Sequence, residues 1–188
     1  LRFLRGVIDT EDLPLNVSRE ILQKNKVLDK IKRNSVKKVL KTIENLAKKD
    51  KSKYLEFYMQ YGVPIKEGLY QDFENRELLM DLLRFRTNKS NEWISLAEYV
   101  SNMKKDQKSI FYITGENYDT IKSSPLLEAC NKKDVEVLIM DNEIDEFVFS
   151  SVSKYKEHNF KSVNHSDALE ELQDDDDKKD SNDCDPLI

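Results

Sequence analysis

The sequence predicts an α/β chain: the end of a larger α/β subdomain, a helical connector, and a small βαβαβ three-layer subdomain with a mainly parallel sheet. Two observations carry this. Leu28, Ile31, Val36, Val39, Leu40, Ile43 and Leu46 recur at helical spacing, which makes an amphipathic helix with one apolar face. Farther on, Ile110-Phe111-Tyr112-Ile113 and Val135-Glu136-Val137-Leu138-Ile139-Met140 are strand-like runs separated by a helical stretch, the order that a parallel sheet with crossover helices requires.

In chain order, residues 1 to 9 alternate weakly, with Phe3, Val7 and Ile8 available to a sheet, and are expected to be the last strand of the larger subdomain. A loop over 10 to 17 leads into the amphipathic helix, which reaches about Ala47. A second helix is expected from about Lys53 to Tyr61, burying Tyr54, Leu55, Phe57, Tyr58 and Tyr61, with Gly62 and Pro64 interrupting or ending it. Another lies near Asn75 to Phe85, and a polar loop runs from Arg86 to Glu92. Pro125 enters the first turn of the helix between the two strands. Asp141 or Asn142 caps a further helix to about Tyr155, and Phe160 to Val163 supplies the third strand. The implied organisation is 1–20, strand and loop; 21–92, helical connector; 93–168, small α/β subdomain; 169–188, acidic linker.

Composition fits that picture. The 188 residues are 38% hydrophobic and 36% charged, which implies much solvated helical surface around a core of moderate size. No run approaches a membrane span. The first residues, Leu1-Arg2-Phe3-Leu4-Arg5, lack a methionine and read as a strand entered in mid-fold, as in a piece of a longer protein. Cys130 and Cys184 have neither metal spacing nor a disulfide pattern, which suits a reduced, cytoplasmic setting. The net charge of -5 hides a polarity: Lys24 to Lys53 holds twelve basic residues against three acidic, and Asp167 to Asp185 ten acids against two lysines. With little to bury, the acidic tail is expected to be disordered. Thr114-Gly115-Glu116 is the one glycine turn after a strand and cannot cradle phosphate, so the sheet reads as structural. His158 and His165 have no neighbouring ligands or nucleophile, and no metal site is expected.

The run Leu13-Pro14-Leu15-Asn16-Val17-Ser18-Arg19-Glu20-Ile21-Leu22-Gln23 is the most informative in the chain. With Ser18 as N-cap, Arg19 takes the first helical position, where a cation faces the positive end of the helix dipole at a cost of a few tenths of a kcal/mol. Helix physics would not choose it. A guanidinium at a loop-to-helix junction suits an anion presented from outside, and its planar donor fork fits phosphate best. Asn16 is suited to shaping the loop through bonds to nearby backbone.

This run resembles the catalytic loop in the middle domain of the heat-shock protein 90 family of chaperones, which includes the bacterial HtpG type. The likeness continues through Gly68-Leu69, Asp72-Phe73-Glu74-Asn75-Arg76, Leu82-Leu83-Arg84-Phe85, Ser95-Leu96-Ala97-Glu98-Tyr99-Val100 and Tyr112-Ile113-Thr114-Gly115-Glu116. Ser124-Pro125-Leu126-Leu127-Glu128-Ala129, Val135-Glu136-Val137-Leu138 and Ile144-Asp145-Glu146 follow in order. Met103-Lys104-Lys105-Asp106-Gln107 departs from it, lacking the proline often found after the methionine.

The resemblance implies that Arg19 reaches the terminal phosphate of ATP, bound with Mg mainly by an N-terminal domain outside this chain, and that Gln23 steadies the closed arrangement. The parent would be an ATPase, with this part alone inactive. It would dimerise through a C-terminal domain that this chain lacks, and would assist the folding of unfolded or partly folded client proteins. Trp93, Phe147 and Phe149 are candidate client contacts: Phe147 and Phe149 fall on opposite shoulders of the stripe Ile144, Val148, Val152 and Tyr155 and cannot both be central.

Two other readings compete. The basic segment Lys24 to Lys53 could bind nucleic acid nonspecifically, but arginine is scarce there, with only Arg33, and Tyr54, Phe57 and Tyr58 are expected to be buried and unavailable for stacking. The alternative is a passive scaffold or spacer, which would fail to suppress aggregation of an unfolded client.

Overall fold

The computed structural model describes residues 4–8, 26–105 and 107–165. It divides into two compact units that meet between Leu82 and Leu83.

The first unit is helical. Helix α1 (Lys26–Lys49) is followed at once by α2 (Lys51–Gln71), a 3-10 turn (Phe73–Asn75) and α3 (Arg76–Asp81). Helix α1 buries Leu40, Ile43 and Ala47 and leaves its lysines outside, as its spacing predicts. Asp50 ends one helix and caps the next, accepting from the Lys53 backbone N–H at 3.0 Å. That bond, above all, holds its carboxyl below the usual range.

Helix α2 corrects the sequence reading: it runs unbroken through Gly62 and Pro64. Proline inside a helix costs about 3 kcal/mol or more through its missing N–H and its clash with the preceding turn. Burial of Tyr58, Ile65 and Leu69 along the same helix opposes that cost. Gly62 is there for space. A Cβ on it would lie 3.1 Å from the Tyr58 ring, so the ring occupies the place a side chain would take. Asp72 closes α2 with its N–H on the Gly68 carbonyl and opens the 3-10 turn through its side chain. Residues 4–8 form no strand and are exposed. The rest of the strand expected over 1–9 lies outside the described residues.

The second unit holds a five-stranded sheet of order β1-β3-β2-β5-β4. Its elements are β1 (Arg86–Thr87), α4 (Leu96–Asn102), β2 (Ser109–Thr114), α5 (Tyr118–Lys122), α6 (Pro125–Lys132), β3 (Leu138–Met140), α7 (Glu143–Ser151), β4 (Lys154–Tyr155) and β5 (His158–Ser162). The central β3-β2-β5 trio is parallel, and β1 and β4 add antiparallel edges. Because β1 pairs with β3 and Phe85 bridges Ile94, residues 83–92 belong to this unit and not to the helical connector.

Alternation along β2 and β3 explains the layers. Phe111, Ile113 and Ile139 join Ile121, Leu127, Cys130, Val135, Val137 and Val163 in one core. On the other face Phe149 of α7 sits among the rings of Phe85, Tyr112 and Phe160. Helix α7 ends at Ser151, short of the expected Tyr155, which lies in β4. Pro125 does open its helix, with Ser124 as N-cap.

Tyr99 joins α4 to the sheet. Its hydroxyl donates to the Glu136 carbonyl at 2.6 Å and accepts from Phe111 N–H and Gln107 Nε2, each at 3.1 Å. Burial raises its pKa well above the tyrosine range. Tyr99→Phe strands these buried groups and should cost about 1–3 kcal/mol in denaturant unfolding. The pH signature follows from the sign of the shift. The folded pKa lies above the unfolded one, so this contribution is complete below about pH 10 and is lost as pH rises through the folded value. The wild type should therefore lose stability above pH 10 more steeply than Tyr99→Phe. Equal slopes would sink the assignment.

Candidate functional site

Asn16, Ser18, Arg19 and Gln23 lie outside the described residues. The description resumes three residues after Gln23, at the start of α1, so the site that can be built here is the surface proposed from the aromatics.

Helix α7 begins at Asn142, whose N–H donates to Asp145 Oδ2 at 3.2 Å, with Glu143, Asp145 and Glu146 in the first turn. Three acids there suit the helix dipole. The helix turns Val148 and Phe149 inward and Phe147 outward. Phe149 is 3% exposed and Phe147 56% exposed. Phe149 is thus core, and of the two aromatics it is Phe147 that presents surface, with Glu143 and Glu146 exposed on the same helix.

Trp93 is half-buried in a different setting. The Arg86 guanidinium lies 5.1 Å from its ring centroid and 3.5 Å from that of Tyr118, and Arg86 Nη2 donates to Asp141 Oδ2 at 2.5 Å. Tyr118 in turn donates to Asn91 Oδ1 at 2.5 Å, which also accepts from Lys122 Nζ at 3.1 Å. Arg86 is held by a carboxylate and two aromatic faces, and that engagement leaves it poorly placed to take an external anion. The Arg86 guanidinium links Trp93 to Tyr118 of α5, whereas Phe147 rides on α7.

No glycine among the described residues has positive φ. A Cβ on Gly115 would lie 2.6 Å from Ile121 Cγ1, so this glycine admits a close helix contact and has no phosphate-binding geometry. Among the described residues no group of three or more His, Cys, Asp or Glu could hold a metal ion, and no helix is long and apolar enough to cross a membrane. His158 Nδ1 lies 3.3 Å from the Lys108 carbonyl, a local contact.

Sequence reasoning missed the exposed Met59, Val63, Tyr70 and Phe73 of the helical unit. Met59, Val63 and Tyr70 share one helical stripe, a signal readable from spacing but indistinguishable there from core. It also missed the Arg86–Asp141 pair, whose partners are 55 residues apart.

Comparison with known proteins gives consistent results. The family model described as Hsp90 protein matches residues 1–186. The chain is 54% identical over 172 residues to the chaperone protein HtpG of Helicobacter pylori, covering 92% of this chain and 28% of that relative. To HtpG of Treponema denticola it is 51% identical over 185 residues, covering 96% and 29%. Among solved structures, the middle domain of a Plasmodium falciparum heat shock protein superposes with a TM-score of 0.70 at 35% identity, over 76% of this chain and 61% of that one. The chain therefore spans less than a third of the curated relatives it matches.

Proposed function

The chain belongs to the Hsp90 family of chaperones, with the fold of its middle domain, and from that premise we propose that it is the part of a longer ATP-dependent chaperone that completes the hydrolysis site and contacts unfolded clients. One observation carries the proposal. Arg19 lies inside a run matching the family's catalytic loop, at a place where the sequence predicts a loop-to-helix junction that helix electrostatics would not choose for a cation. Its role is to meet the terminal phosphate of ATP held, with Mg, by the N-terminal domain of the same parent. Bound ATP supplies the phosphoryl group, while this chain's part is charge compensation by Arg19 and a hydrogen bond from Gln23 that steadies the docked loop. Asn16 and Ser18 shape that loop.

A guanidinium that reaches phosphate only after docking makes hydrolysis conditional on closure. Nucleotide state and client engagement are then coupled. The parent is a cytoplasmic homodimer joined through a C-terminal domain, and this part alone does not hydrolyse ATP.

The client half rests on Phe147, an exposed aromatic on a helix whose other aromatic is buried, with Trp93 as a secondary contact. Phe147→Ser in the full-length parent should reduce suppression of client aggregation severalfold while ATP turnover without client stays near wild type. Unchanged suppression would remove Phe147 from the client surface and favour the spacer reading.

A further inference from the structure

Helix α2 buries Tyr58, Ile65 and Leu69 on one side and leaves an apolar row on the other. Met59, Val63 and Tyr70 fall within an arc of about 40° and are 58%, 41% and 47% exposed. Neither hydrolysis nor the Phe147 contact uses them. Lys66 falls between Val63 and Tyr70 but is buried, so it puts no cation on the surface. The charges beside the row are carboxylates. Glu56, which is exposed, and Glu67, which is half-buried, flank it on one side, about 16 Å apart along the helix axis. The exposed Lys53 is committed to Asp50 at 3.5 Å, whereas Glu56 has no ion pair among the described residues.

Pro64 adds a third feature. A helical carbonyl accepts from the N–H four residues on, and proline has no N–H to give. The carbonyl of Gln60, an exposed residue on the acidic flank, therefore lacks that donor. Helix stability selects neither the proline nor an apolar row facing solvent.

We propose that this face of α2 is a second client surface, and that its occupant is an extended segment of unfolded polypeptide whose apolar residues are flanked by lysine or arginine. This rests on the reading that the parent binds unfolded clients, and adds to it a place and a charge preference. Charge complementarity selects the segment: Glu56 and Glu67 attract cations, in a chain of net charge -5. At about 3.3 Å per residue, an extended chain crosses the distance between them in about five residues. Two basic residues five apart then meet both acids, with the apolar side chains between them over Met59 and Val63. An unfolded segment also carries unpaired N–H groups, which the Gln60 carbonyl can accept, whereas a folded partner has already paired most of its own. Methionine, flexible and polarizable, adapts to apolar partners of different shape.

The test uses the full-length chaperone, as wild type and with Phe147→Ser, and two fluorescent unstructured peptides followed by anisotropy. One has an apolar core between two lysines five residues apart; the other carries glutamate in place of both lysines. The lysine peptide should bind about tenfold or more tightly than the glutamate peptide, in both backgrounds. Glu56→Gln with Glu67→Gln should reduce that preference to about threefold or less. Met59→Ser with Val63→Ser should weaken both peptides about fivefold or more. Pro64→Ala, which returns a donor to the Gln60 carbonyl, should weaken them about two- to threefold without loss of stability in denaturant unfolding. Binding abolished by Phe147→Ser and untouched by the α2 variants would overturn the second surface and keep the client reading. Binding of neither peptide would overturn both, and equal affinity for the two peptides would overturn the charge preference that defines the occupant. Unchanged peptide affinity with a loss of self-association in Met59→Ser with Val63→Ser would overturn the proposal and assign the row to a second copy of the chain.

Discussion

Arg19→Ala in the full-length parent should lower ATP turnover by about a hundredfold or more while leaving ATP affinity near wild type. Arginine contacts to a transferring phosphoryl group are worth about 10³–10⁵ in rate where chemistry limits turnover. A smaller factor is expected here, because a clamp that must close first shares the limitation between closure and chemistry. Affinity is expected to be spared on the proposed reading, in which the N-terminal domain holds most of the nucleotide. The substitution should also leave stability unchanged or slightly raised, since the sequence predicts a first helical position at Arg19, where a cation is unfavourable. That separates loss of function from loss of fold. Arg19→Lys should recover only part of the rate, as an ammonium cannot make the two parallel bonds of a guanidinium. Turnover within about twofold of wild type in Arg19→Ala would remove the loop from hydrolysis.

The parts of the fold legible in sequence were those with long apolar periodicity or a strong terminal signal. Helix α1 was read from seven spaced residues, β2 and β3 from continuous apolar runs, and the start of α6 from Pro125. The edge strands β1 and β4 were not legible, because two-residue strands carry no period and exist only through their partners. The continuation of α2 through Pro64 was misread for a related reason: the local signal to stop is real, and only packing of Ile65 and Leu69 overrides it. At the candidate site, periodicity placed Phe147 and Phe149 on different shoulders of one helix but could not say which faces the sheet. That choice depends on Phe85, Tyr112 and Phe160, which come from three other places in the chain.

Phe149→Ala should destabilise the sheet unit by about 3–5 kcal/mol, the usual cost of removing a buried phenylalanine and leaving a cavity. The Phe149 ring centroid lies 5.8 Å from Phe85, 5.9 Å from Tyr112 and 5.1 Å from Phe160, with the Phe85 and Phe160 contacts edge-on. Edge-to-face rings add to area burial, so the value should fall toward the upper part of that range. Against a total stability of about 5–15 kcal/mol for a typical domain, such a loss takes a large share. Denaturant unfolding with the unfolding slope held constant is the direct measurement, and a change below about 1 kcal/mol would contradict the packing described. The comparison with Phe147 is more informative than either variant alone. Phe147 is exposed, so Phe147→Ser should unfold within about 0.5 kcal/mol of wild type, yet it is the variant expected to lose client capture. Phe149→Ala should lose stability first, and capture only as far as α7 loosens and Phe147 loses its fixed position. Loss of capture without loss of stability in Phe149→Ala would mean that the client, and not the sheet, is what this ring meets.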